Sequence, residues 1–323
     1  MRRAFIKTLV TLAERDERIL LLTGDLGYMT LEPFAERFPG RFFNVGVAEQ
    51  NMVGLATGLA EAGFIPFVYS IAPFACLRPY EFIRNGPIAH RLPVRIVGVG
   101  GGFEYGHNGL SHYALEDIGV MRIQPGISVV APADVEQARS ALEKTWGLPG
   151  PVYYRIGKDE KTLIPGLGGR FEPGRAQTIG DGTDVLLIAT GAITTEAAAA
   201  VALLAERGIR STLMVVASVQ PSPVDDIARE LAKVKVAVTV EAHYIAGGLG
   251  SLVAEVAAAG GISCKVIRLG VAETPGCEVG SQAFLQRRHG IDAAGITERI
   301  ERAVGSRAGS GNILPERGGI HGS

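Results

Sequence analysis

Cysteine is scarce in this chain. Only Cys76, Cys264 and Cys277 occur in 323 residues, far apart. That excludes a disulfide framework and a cysteine zinc site, both of which need paired or closely spaced thiols, and makes a reducing cytoplasm the simplest setting. An excess of charge of one sign is missing too. Lys and Arg number 32 against 33 Asp and Glu, for a net charge of −1. Nucleic acid and anionic membranes both require a basic face to gather phosphates, so neither is expected as a partner. No run is long and apolar enough to span a bilayer. The opening "MRRAFIKTLVTLAERDERI" turns from basic to apolar as a signal peptide does. However, Lys7 interrupts it while Phe5, Leu9 and Leu12 recur at helical spacing, which predicts an ordinary first helix. Phosphate loops are absent as well: no GxxxxGK[ST] stretch exists, and "GGFEYG" (Gly101–Gly106) lacks the spacing of a dinucleotide fingerprint. No repeat of solenoid period occurs.

Glycine, by contrast, is abundant at 43 residues, and 47% of the chain is hydrophobic. The length exceeds one ordinary core, so two domains are expected. Short apolar runs alternate with helical patterns, the mark of mostly parallel sheets wrapped by helices. Candidate strands "RILLLTG", "IPFVYS", "VRIVGVG", "ISVVAPA" and "PVYYRIG" fill a first α/β domain over 1–157. Its helix over Asn51–Ala62 has Met52, Leu55 and Leu59 as the inward stripe and Gly63 as the stop. Residues 158–183 lose periodicity and gather Gly, Pro and charge, which reads as a linker. The alternation resumes over 184–305 with "DVLLIATG", "RSTLMVVAS", "VAVTVEAH" and "SCKVIRLG" as strands. The Gly- and Ser-rich end, 306–323, has too little apolar surface to offset ordering and is expected to be a flexible tail.

Chemistry concentrates where strands end. "TGDLG" puts Asp25 at the carboxyl end of a buried strand, the edge where open parallel sheets meet ligands. "FFNVGVAEQNM" sets a lone acid, Glu49, among small and apolar residues where a strand gives way to a helix. "VYSIAPFACLRPYE", "GHNGLSHYALED" and "VYYRIGK" follow in the same kind of position.

In order and wording these segments resemble the pyrimidine-binding domain of transketolases, followed by their C-terminal domain; "VEAHYIAGGLGS" (240–251) resembles a segment of the latter. The likeness covers about residues 1–305, and "VGVAEQNM" is its most specific element. Because full-length transketolases carry a diphosphate-binding domain ahead of this one, the chain resembles the C-terminal subunit of a split transketolase.

The resemblance implies thiamine diphosphate as cofactor and transfer of a two-carbon ketol unit from a ketose to an aldehyde. It implies Glu49 as the acid that shares a proton with the aminopyrimidine, and Phe74, with Tyr69 in reserve, as the ring stacked on it. Asp25 falls among the cofactor contacts. His112 matches the family histidine facing the reacting carbon, with His107 and Asn108 beside it at the substrate. Arg155 matches an arginine that binds substrate phosphate. No metal ligand is assigned to this chain. Mg²⁺ and the diphosphate are expected on an N-terminal partner subunit in an α₂β₂ assembly. "GDG" at Gly180–Gly182 resembles the start of a diphosphate motif but precedes a strand with no Asn pair following, and reads as a turn. There are departures from the family pattern: Asn108 replaces an Asp, Met29 a Ser and Gly100 a His, all at sugar or phosphate contacts. Two alternatives stay open: a β-subunit of a 2-oxo acid dehydrogenase or decarboxylase-like enzyme, and a scaffold that has lost the chemistry.

Overall fold

A computed structural model describes residues 1–305, and the expected flexible tail at 306–323 lies outside the described residues. The first half runs α1 (Arg2–Ala13), β1 (Ile19–Thr23), α2 (Glu32–Arg37), β2 (Phe42–Asn44), α3 (Glu49–Glu61), β3 (Ile65–Ile71), α4 (Ala72–Cys76), α5 (Tyr80–Ile83), β4 (Arg95–Val99), α6 (Asp117–Arg122), β5 (Ser128–Val130), α7 (Val135–Thr145) and β6 (Val152–Ile156). The second half runs β7 (Gln177–Ile179), β8 (Val185–Ala189), α8 (Thr194–Glu206), β9 (Ser211–Val215), β10 (Ser218–Gln220), α9 (Val224–Leu231), β11 (Val236–Tyr244), α10 (Leu249–Ala259), β12 (Lys265–Val271), α11 (Gln282–Arg288) and α12 (Ala293–Gly305).

These elements build two sheets, ordered β10-β5-β6-β4-β3-β1-β2 and β12-β11-β8-β9-β7. Both are parallel except at one edge, where β10 runs against β5 and β7 against β9. Strands β1, β4, β6 and β8 are buried at every residue, because helices cover both faces and leave no polar side. The architecture is therefore two consecutive α/β units, as the alternation of patterns predicts. Two short strands carry no such pattern. β7 arises inside the segment 158–183, and β10 leaves the second half of the chain to extend the first sheet.

Helix α3 starts at Glu49, two residues before the predicted Asn51, and ends where Gly63 takes φ +94. Its inward stripe is Glu49, Met52, Val53, Ala56 and Ala60. Leu55, expected inside, is 42% exposed: burial of Glu49 turns the helix so that Leu55 looks outward.

The two halves are joined by buried polar contacts. The backbone N–H of Tyr244 donates to the Leu115 carbonyl (2.8 Å), and that of Gly119 to His243 Nε2 (3.1 Å). His243 Nδ1 lies 2.7 Å from the Tyr244 carbonyl, so the proton sits on Nδ1 and the ring is neutral. Glu241, fully buried, accepts from the first amides of α10, Leu249 (2.7 Å) and Gly250 (2.8 Å). Glu241→Ala leaves both amides unpaired and should lower stability by about 1–3 kcal/mol; denaturant unfolding that matches wild type would show that water replaces the carboxylate. No helix among the described residues is long and apolar enough to cross a membrane.

Candidate active site

The carboxyl ends of β1, β2 and β3 converge on one acid. Asn44, ending β2, accepts from the backbone N–H groups of Asp25 (3.0 Å) and Gly46 (3.1 Å) and donates to Asp25 Oδ1 (3.0 Å). This bridge fixes the loop after β1, where Asp25 takes the left-handed φ of 57° that short polar side chains tolerate. Beside it Gly24 packs closely: a Cβ there would lie 3.3 Å from the Gly46 carbonyl, a tight contact, and 3.7 Å from Glu49 Oε1, an ordinary one.

Glu49 opens α3 and is 3% exposed. Ser70 Oγ, at the end of β3, stands 3.4 Å from Oε1. Arg78 Nη1 donates to both carboxylate oxygens, at 3.0 and 3.1 Å. The same guanidinium lies over the Phe74 ring, its carbon 3.7 Å from the centroid, within the range of a cation–π contact. On from Phe74, the His112 ring meets it edge to face at 4.9 Å, and Tyr105 lies 6.1 Å beyond His112. Lys158 Nζ caps Tyr105 at 4.0 Å. A row of cations and rings thus leads away from the buried acid.

Burial first, and then the Arg78 charge, lowers the pKa of His112 below the usual 6.5. Its Nδ1 lies 3.0 Å from Ser111 Oγ. The imidazole is therefore neutral at pH 7 and open to accepting a proton. Burial lowers His243 as well. A base whose pKa falls on folding binds fewer protons than the unfolded chain once the pH drops below about 6.5, so these groups withdraw stability on the acid side and are silent above it. For His243 the loss has a structural form, because a proton on Nε2 expels the Gly119 amide from the domain junction. NMR titration should place the midpoints of both imidazoles under 6.5; a His112 midpoint at the ordinary value of 6.5 would mean that neither burial nor Arg78 acts on the ring.

The structure gathers Glu49, Phe74 and His112 on one edge. Asp25 lies on the same edge, exposed, held by Asn44 and by Tyr28 Oη at 3.3 Å. His107 and Asn108 sit exposed on the turn Gly106–Asn108 that leads to His112. Two expected residues stand elsewhere. Tyr69, the reserve stacking ring, is 2% exposed in the core with Leu31 and Phe67, so its faces are already covered; burial also raises its phenol pKa. Arg155 is 4% exposed and does not fit phosphate binding. Its Nη2 donates to the carbonyls of Ala114 (2.5 Å) and Ala242 (2.8 Å). Its Nε lies 2.9 Å from Asp117 Oδ2, an ion pair by distance although the N–H is not aimed along it. Tyr153 Oη donates to the same Oδ2 at 2.7 Å. Arg155 is therefore part of the domain junction. Val47, one of the apolar residues that flank Glu49 in "FFNVGVAEQNM", is 70% exposed and does not shield it. The residue that sequence reasoning missed is Arg78. It follows Phe74 by four residues in "PFACLRPYE", in the turn after α4, a position that in sequence does not distinguish it from a surface arginine.

Fold and site define an α/β protein of two mostly parallel-sheet units, with a buried carboxylate and a half-buried aromatic ring set together at the carboxyl edge of the first sheet. The family model "Transketolase, pyrimidine binding domain" matches residues 1–161, and "Transketolase, C-terminal domain" matches residues 174–296. The chain belongs to the transketolase family, and its relatives make it a β-type, C-terminal subunit. It is 38% identical over 303 residues to a putative transketolase C-terminal section of Methanocaldococcus jannaschii, covering 93% of this chain and 95% of that one. It is 35% identical to the 6-deoxy-6-sulfo-D-fructose transketolase subunit SqwH of a Clostridium species, over 92% of each chain. Among solved structures, a split gene transketolase described as an inactive β₄ tetramer superposes with a TM-score of 0.83 at 35% identity, over 94% of this chain and 97% of that one.

Proposed function

We propose that this chain is the pyrimidine-side subunit of a thiamine diphosphate-dependent transketolase, which works in the cytoplasm with a second chain that holds the diphosphate and Mg²⁺ in an α₂β₂ assembly. The observation that carries the reading is Glu49, a carboxylate 3% exposed that faces the Phe74 ring across a planar nitrogen cation. The residues present fit an aminopyrimidine. An acid buried at the sheet edge meets a ring nitrogen, and Phe74 offers a face on which an aromatic ring gains about 0.5–1.5 kcal/mol beyond burial.

When bound, thiamine diphosphate supplies a thiazolium carbon that serves as nucleophile and electron sink. The residues of this chain do the rest. Glu49 holds a proton at the ring nitrogen, with Ser70 beside Oε1 and Met52 walling off water. Phe74 fixes the plane of the ring. His112, neutral at pH 7, takes and returns a proton at a substrate oxygen. Large apolar side chains are exposed on the loops beside Glu49: Tyr28 at 75%, Met29 at 79% and Val47 at 70%. Such a patch on a ligand edge supports burial against another chain. The inactive β-only tetramer among the relatives supports the same dependence, and relatives named for sulfofructose and apulose 4-phosphate support a ketose donor.

The test is reconstitution. With thiamine diphosphate, Mg²⁺, a ketose donor and an aldehyde acceptor, the chain alone should give no product and the chain mixed with its N-terminal partner should. Full turnover by this chain alone would end the two-chain reading.

A further inference from the structure

The guanidinium of Arg78 has two engagements at once. It bonds both oxygens of Glu49 through Nη1 (3.0 and 3.1 Å), and it lies flat over Phe74 with its carbon 3.7 Å from the ring centroid. These are the two contacts that the reading above assigns to the aminopyrimidine: a nitrogen donor to the acid and a plane stacked on the ring. We propose that Arg78 is an internal stand-in for the cofactor's pyrimidine, holding Glu49 and Phe74 in their working positions and yielding its place when the cofactor loads. The proposal rests on the thiamine reading.

The chemistry of the two groups corresponds. A guanidinium and a protonated aminopyrimidine both present planar, delocalised N–C–N edges with N–H donors, which an ammonium does not. The need for a stand-in follows from burial. Apart from Arg78, the side-chain partner of Glu49 is Ser70 Oγ at 3.4 Å, so a carboxylate 3% exposed would otherwise be left almost bare at the sheet edge. The freedom to leave follows from exposure. The Arg78 side chain is 44% exposed and sits in the turn between α4 and α5, so it can swing into solvent without unpacking the core. Its withdrawal also removes a charge that lowers the pKa of His112, the ring edge-on to Phe74, which gives the exchange a second readout.

The experiment compares wild type, Arg78→Ala and Arg78→Lys, each assembled with the partner chain, by isothermal titration with thiamine diphosphate and Mg²⁺. Removal of the competing cation should tighten the dissociation constant of Arg78→Ala by about tenfold, the equivalent of roughly 1.4 kcal/mol, with Arg78→Lys in between. Methylguanidinium added to Arg78→Ala should weaken cofactor binding toward the wild-type value, whereas sodium chloride at equal ionic strength should not. Equal or weaker cofactor binding by Arg78→Ala overturns the stand-in while leaving the thiamine reading intact. Absence of binding by every protein, wild type included, overturns both. A folding defect in Arg78→Ala leaves wild type as the witness: the midpoint of its His112 titration, followed by NMR, should rise when thiamine diphosphate is added, and a fixed midpoint overturns the exchange.

Discussion

Glu49→Gln in the assembled enzyme is expected to lower turnover by about 10²–10⁴-fold, the range for losing a positioned proton-transfer group, with the fold intact. The amide is isosteric, so Ser70 and Arg78 can still donate to its oxygen, and packing against Met52 is unchanged. What is lost is the ability to hold a proton at the ring nitrogen, and among the described residues the neighbouring carboxylate, Asp25, does not replace it, because it is exposed and tied to Asn44. Stability should move little, because Arg78 is 44% exposed and can turn to water once its partner weakens. The measurement is kcat together with an unfolding curve. Wild-type kcat in this variant would remove Glu49 from the chemistry.

Arg155→Met is expected to have the largest effect on stability, a loss of about 3–5 kcal/mol, the usual result of removing one partner of a buried ion pair. Asp117 is fully buried, and its Oδ1 already lacks a partner, so without Arg155 only Tyr153 Oη would face a carboxylate in the interior. The carbonyls of Ala114 and Ala242 lose their donor in the same step, which loosens the seam between the two halves. Pairing the change with Asp117→Leu should restore part of the loss, since a buried ion pair replaced whole is often neutral. Denaturant titration of the single and double variants decides. If Arg155 bound substrate phosphate instead, the single variant would keep its stability and raise KM.

The fold was legible where physics leaves a pattern. Buried parallel strands read as continuous apolar runs, so β1, β3, β4, β6 and β8 stand where the sequence places them. The strands β7 and β10 were not legible: both are short antiparallel edge strands without a continuous apolar run, and β10 joins a sheet distant in sequence, whereas the equally short β5 lies in the apolar run "ISVVAPA". Within the site, Glu49, Phe74 and His112 were legible through motifs at strand ends. Arg155 stands at a strand end too, but what covers it is Ala242 from the other half of the chain, a contact set by domain packing alone. Tyr69 was an unsound reserve for a simpler reason. Residues alternate sides along β3, and with Ser70 directed at Glu49, Tyr69 points into the opposite core. Arg78 was missed because an arginine one turn after an aromatic usually decorates a surface; only the geometry shows its head group closing on a buried acid.

The central claim is that Glu49 is the group that meets the cofactor's heterocycle. A crystal structure of this chain assembled with its partner, thiamine diphosphate and Mg²⁺ tests it most directly. The account predicts a Glu49 oxygen within hydrogen-bond distance, about 2.6–3.2 Å, of a pyrimidine ring nitrogen, with the ring over Phe74 and Arg78 turned away. A pyrimidine bound elsewhere, with Glu49 and Arg78 still joined, would contradict it.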